Sequence, residues 1–183
     1  MIYPSYQKID LTDDKNDNLN NLVDYLQNEQ IFLKIDVGNL FLPDNYPEYT
    51  TYDKIKRFLS RFPSNIIIIS GVDITGDINL YIQLLKYHRN AWLELDPRSI
   101  GGINPTQYFR KLFSIDGFVQ NYWDRIIIGS ATPTLEIPQM VKGFWEVTEE
   151  LDFARKCLLR TWAFRNVFRI MPNNLYSPKI DSN

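Results

Sequence analysis

The stretch Phe62-Pro63-Ser64-Asn65-Ile66-Ile67-Ile68-Ile69-Ser70-Gly71 decides the fold. Four consecutive β-branched residues are stiff at χ1 and crowd a helical turn, so the run reads as a strand. It shows no apolar-polar alternation. That predicts a strand covered on both faces, the habit of parallel sheets. Three further runs of similar length lie outward from it: Ile31 to Asp36, Ala91 to Leu95, and Arg125 to Gly129. Between them the apolar spacing turns helical. Leu19, Leu22, Val23 and Leu26 mark a helix near Asp17 to Gln27, and Ile55, Phe58 and Leu59 mark one over Tyr52 to Arg61. Asp77 can cap a helix carrying Leu80, Tyr81, Leu84 and Leu85. Asn104-Pro105 reads as N-cap and first residue of a helix with Tyr108, Phe109, Leu112 and Phe113 on one face. Pro138 opens another, with Met140, Val141, Phe144 and Trp145 inward. A long final helix is predicted from about Thr148 to Ile170.

Strands alternating with helices imply βαβ units and a parallel sheet. Four strands can be counted, whereas a closed (β/α)8 barrel needs eight and typically about 250 residues. With 183 residues the chain is too short for a whole barrel, which leaves a half-barrel or a small open sheet. Residues 1–171 read as a single domain, and the Asn-, Pro- and Ser-rich residues 172–183 as a loosely held tail.

Composition narrows the function without naming it. Aromatic residues make up 14%, which predicts a packed core and excludes a disordered chain. The net charge of −2 and pI near 5.4 leave no basic excess for neutralising phosphates, so nucleic acid is not an expected partner. A single cysteine, Cys157, excludes an internal disulfide and fits a reducing compartment; its place beside Leu158 and Leu159 predicts a buried structural thiol. No apolar run approaches the roughly 20 residues of a membrane span, and Met1-Ile2-Tyr3-Pro4-Ser5 does not open a signal peptide. A cytoplasmic location is expected.

The order and spacing of five segments resemble the amidohydrolase superfamily of metal-dependent hydrolases, in its decarboxylase-like branch. Ile31 to Gly38 resembles the family's fifth barrel strand, and Phe62 to Gly71 its sixth. Arg89-Asn90-Ala91-Trp92-Leu93-Glu94-Leu95 resembles the seventh. Asp124-Arg125-Ile126-Ile127-Ile128-Gly129-Ser130-Ala131-Thr132-Pro133 resembles the eighth, and Asn166-Val167-Phe168-Arg169-Ile170-Met171 the closing helix end. The resemblance covers Asp17 to Met171 and implies an α/β chain that is half of a TIM (β/α)8 barrel, about four parallel strands with flanking helices. It also implies what has changed. Where the family places metal-binding His on its fifth and sixth strands and an Asp on its eighth, this sequence has Asp36, Ser70 and Ala131. A water-activating metal needs about three or more N or O ligands with one position left open. Of the three residues only Asp36 suits that role.

Ligand sites of parallel α/β folds lie beyond the carboxyl ends of the strands. Asp36, Ser70, Asp73, Asp96, Arg98, Ala131 and Thr132 stand there, and Asp36, Asp73, Asp96, Arg98 and Thr132 are the candidate ligand-binding residues. No catalytic residue and no metal ligand set is assigned. The resemblance implies that Asp36 points inward as the family's His does; by alternation Phe32 and Lys34, and likewise Trp92, Glu94 and Asp96, then face the interior, where Lys34 and Glu94 would satisfy one another. His88, the sole histidine, reads as a packing or surface residue.

A half-barrel leaves two strand edges open and part of its interior face in water, and open edges invite pairing. The expected function is therefore a catalytically degenerate amidohydrolase-like protein, a pseudoenzyme that acts through assembly in a structural, regulatory or ligand-binding role. Its partner would be a second copy, or a chain carrying the missing half-barrel, with a small molecule as a further ligand and no cofactor. The alternative is a metal-dependent hydrolase or decarboxylase whose active site, with zinc or another divalent metal, is shared with a partner chain.

Overall fold

The computed structural model describes residues 1–38, 46–72, 78–97, 104–129 and 136–171. A short helix α1 (Pro4–Gln7) and the helix α2 (Asp17–Asn28) precede strand β1 (Leu33–Asp36). Helix α3 (Tyr52–Arg61) leads to β2 (Ile67–Ser70), and α4 (Ile78–Tyr87) to β3 (Ala91–Leu95). Helices α5 (Pro105–Phe113) and α6 (Phe118–Tyr122) lead to β4 (Ile126–Ile128), after which α7 (Ile137–Glu149), α8 (Phe153–Trp162) and α9 (Asn166–Ile170) follow. The sheet runs β1-β2-β3-β4 with every pair parallel, the arrangement of half a TIM barrel.

The two faces of the sheet are buried differently. Leu33, Ile35, Ile67, Ile69, Leu93 and Ile126 join the main core beneath the helices, where Phe58, Leu84, Phe109 and Phe144 meet them. The opposite, inner face carries a smaller cluster of Ile68, Trp92 and Ile127 with Ile170 of α9, flanked by Phe32 and Ile66. All four residues of β2 are buried, as the unalternating isoleucine run requires. The inner face is therefore not left in water, contrary to the expectation for half a barrel.

Both sheet edges are also occupied. Beside β1, the Ile2 N–H donates to the Lys34 carbonyl (2.9 Å) and the Ile2 carbonyl accepts from the Asp36 N–H (3.0 Å), a parallel bridge one residue long. Beyond β4, the Ile128 N–H donates to the Ala163 carbonyl (3.2 Å), and the Asn166 amide donates to the Ile126 carbonyl (2.7 Å). Outward-facing backbone groups are thereby satisfied within the chain, which blunts the edges against strand addition.

Side-chain amides fasten the amino ends of the strands. Asn65 donates to the Val23 carbonyl, and Asn90 to the carbonyls of Leu59 and Phe62. The Arg125 guanidinium reaches the His88 carbonyl at 3.0 Å, so the residues around His88 serve the scaffold. Gly143 lets α7 meet α5 closely, because a Cβ there would lie 2.8 Å from both the Pro105 Cβ and the Thr106 backbone nitrogen.

Three expectations for the last quarter of the chain are corrected. The long final helix expected from about Thr148 to Ile170 is two shorter ones: α8 begins only after Asp152, whose carboxylate accepts from the Arg155 N–H, and ends at Trp162, and α9 starts at Asn166. Val141 and Trp145 are exposed rather than inward, although Met140 and Phe144 are buried as expected. Cys157 is exposed, since the face of α8 that reaches the core is that of Leu159. No helix among the described residues is long and apolar enough to cross a membrane.

Candidate functional site

Strand register builds the site in rows. Lys34, Ile68 and Trp92 stand side by side on the inner face. One step toward the carboxyl ends, Asp36 pairs with Ser70, and Glu94 pairs with Ile127. Continuing the register between β2 and β3 places Ser70 beside Glu94, so Asp36, Ser70 and Glu94 share one row. Lys34 and Glu94 are ion-paired across β2, with side chains only 24% and 12% exposed. Gly129 makes room for this pair. A Cβ at that position would lie 2.7 Å from Glu94 Cδ and 2.8 Å from Cγ.

Asp36 is buried at the end of β1. Its Oδ1 accepts from the Gly38 N–H at 2.9 Å, and its Oδ2 from the Ser70 hydroxyl at 3.3 Å. The turn after β2 is shaped around it. Gly71 sits at φ +72°, and a Cβ there would lie 2.6 Å from Asp36 Oδ1 and 2.7 Å from the Gly38 nitrogen. A larger residue would be strained by its backbone and would also push the carboxylate out of place.

Of the candidate ligand-binding residues, Asp36 and Asp96 are described and both are buried. Ser70 is buried beside Asp36. Asp73, Arg98 and Thr132, with Ala131, lie outside the described residues, as do the Asp77 cap and the tail 172–183. One hollow of about 150 Å³ opens elsewhere, at the amino ends of the strands, between Gln27, Gln30, Phe32 and Asn65. Sequence reasoning missed the cover on Trp92: the Arg169 guanidinium lies 5.9 Å from its ring centroid and 5.8 Å from that of Trp162. The Asn-x-x-Arg spacing of Asn166 and Arg169, one helical turn apart, was its only trace in the sequence.

Among the described residues, the Asp36 carboxylate is met by an N–H and a hydroxyl, donors that satisfy a carboxylate without a metal. The other carboxylate in its row, Glu94, is already neutralised by the Lys34 ammonium. No group of three or more His, Cys, Asp or Glu side chains that could hold a metal ion occurs among the described residues.

No family model matches the chain, and no curated protein matches it. Among solved structures, it is similar to an uncharacterised TIM-barrel protein from Bordetella bronchiseptica, at 19% identity and a TM-score of 0.57. The similarity covers 88% of this chain and 52% of that one, so this chain spans about half the length of its structural neighbour. The fold is thus that of a TIM-barrel protein, represented here by half the ring.

Proposed function

We propose that this chain is an amidohydrolase-like half-barrel that has given up the family's metal chemistry and works through assembly, as a structural, regulatory or ligand-binding unit. The observation that carries this reading is the row of Asp36, Ser70 and Glu94. Two of its positions correspond, by the sequence resemblance, to metal ligands of the family. Here one carboxylate is held by an N–H and a hydroxyl, and the other by an ammonium. The Lys34 ammonium neutralises Glu94, the other carboxylate of the row. Burial of that pair also favours a settled, structural role, because the two charges satisfy one another away from water.

Calorimetric titration of the purified protein with Zn²⁺ and Mn²⁺ tests the chemical half of the proposal. Weak, non-stoichiometric binding that Asp36→Ala leaves unchanged is expected. Tight binding of about one ion per chain, abolished by Asp36→Ala, would support the shared metal centre instead.

A further inference from the structure

Building on the assembly reading, we infer that the segment from Ala163 to Ile170 is a strap that holds this chain shut, and that two copies complete an eight-strand barrel only when it lets go. The strap takes the two surfaces that closure of a barrel needs. The first is the outer edge of β4. The Gly129 N–H donates to the Leu95 carbonyl of β3, so by alternation the N–H of Ile128 and the carbonyl of Ile126 point outward, where a fifth strand would take them. Both are engaged by the strap: the Ile128 N–H by the Ala163 carbonyl at 3.2 Å, and the Ile126 carbonyl by the Asn166 amide at 2.7 Å. The second surface is the inner face. Ile170, buried, closes the cluster of Ile68, Trp92 and Ile127, a place that side chains of the opposite half fill in a whole barrel. Arg169 lies across the same face, its guanidinium 5.9 Å from the Trp92 ring centroid and donating to the Asp124 carbonyl at 3.0 Å.

The strap is built to come away. Helix α9 has five residues and no side-chain cap, too little to persist by itself. Within it Asn166 and Ile170 are buried, and Ile170 belongs to the small inner cluster rather than to the main core. Detaching α9 therefore breaks a few named contacts and leaves the core beneath the helices intact, as expected of a unit that opens locally. At the other edge of the sheet, the two hydrogen bonds that Ile2 makes to β1 are ones an incoming strand would replace in kind. Four parallel strands in the order β1-β2-β3-β4 then offer a free edge at each end. Two such halves, related by a two-fold axis and joined β4 to β1, supply the eight strands of a closed barrel. The partner is thus a second copy of this chain.

Both copies must open, so association follows the square of the open fraction. Arg169→Ala, at an exposed position, removes the contact with Trp92 and the hydrogen bond to Asp124, and should raise the open fraction about 10-fold. The apparent dissociation constant of the dimer should then fall about 100-fold. Ile170→Ser should act in the same direction, whereas Ile170→Val keeps the apolar contact and should match the native chain. Sedimentation equilibrium of the full chain and the three variants is the test, with circular dichroism to verify the fold. The native chain should pass from 21.6 kDa to twice that mass at far higher concentration than Arg169→Ala. Equal dissociation constants in the native chain, Arg169→Ala and Ile170→Ser overturn the inference and leave the assembly reading standing. A weaker dimer in those variants also overturns it, because the strap would then belong to the interface. If all four chains stay monomeric, the inference fails together with self-assembly.

Discussion

The Lys34 ammonium and the Glu94 carboxylate meet over β2, coming from the strands on either side of it. The pair ties β1 to β3 through side chains, where the backbone ladder joins each of them only to β2. Removing one partner would leave the other charge half-buried and alone. Lys34→Ala and Glu94→Ala are each expected to cost about 2–4 kcal/mol, whereas the double variant Lys34→Met/Glu94→Leu should recover most of that. Urea unfolding of the three variants is the check. Single variants as stable as the native chain would show that the pair is solvated and idle.

Gly129 should behave as part of the same unit. Gly129→Ala drives a Cβ into the Glu94 side chain, so the ion pair must shift or the strands must separate. A loss of about 1–3 kcal/mol is expected. In a Glu94→Ala background the same substitution should cost far less, because the obstructing atoms are gone. A double-mutant cycle with no coupling would contradict this placement.

Asn166 holds the outer edge of the sheet. Its amide serves the carbonyls of Trp123 and Ile126, and the residue is fully buried. Asn166→Ala would leave both carbonyls without that donor, at an expected cost of about 2–3 kcal/mol. The freed edge should also raise aggregation on heating, measurable by light scattering. An unchanged melting curve and scattering trace would argue against the edge cap.

One acid-sensitive contact lies between the loop preceding α2 and helix α3. The Asp10 carboxyl is lowered from 3.8 to about 2, first by the hydrogen bond from the Lys54 ammonium and then by that from the Thr12 hydroxyl. A depressed carboxyl stabilises the fold above its unfolded value and ceases to do so as pH falls through the folded one. Asp10→Asn should therefore lower the urea midpoint at pH near 6, and the difference should vanish between 3.8 and about 2. A difference that persists at the acid end would assign the effect to packing rather than charge.

Much of the scaffold was legible in the sequence because local physics dictated it. The β-branched run of β2, the bounds of α3 and β3, and the Asn104 cap of α5 all follow from residue type and spacing. The inward phase of Lys34 and Glu94 followed from alternation along strands once the resemblance turned Asp36 inward. What stayed hidden depends on distant partners. The last helix reads as running from about Thr148 to Ile170, yet Asp152 turns its carboxylate to the Arg155 N–H and starts it only at Phe153, and it stops at Trp162 before α9 begins at Asn166. The exposure of Trp145 and Cys157 depends on which shoulder of each helix meets the core, and the stripe was too wide to tell. The single-residue bridge of Ile2 and the Ala163 carbonyl at β4 are backbone contacts with no sequence pattern at all. At the site, Asp36 and Ser70 could be singled out, but the glycine at φ +72° that frames the carboxylate could be recognised only from the coordinates.

Native mass spectrometry of the protein, purified in the presence of zinc, reads assembly and metal content together. The expected spectrum contains a species of twice the 21.6 kDa chain mass, with no stoichiometric metal. A chain of 21.6 kDa that carries one firmly held ion by itself would contradict the account at its centre.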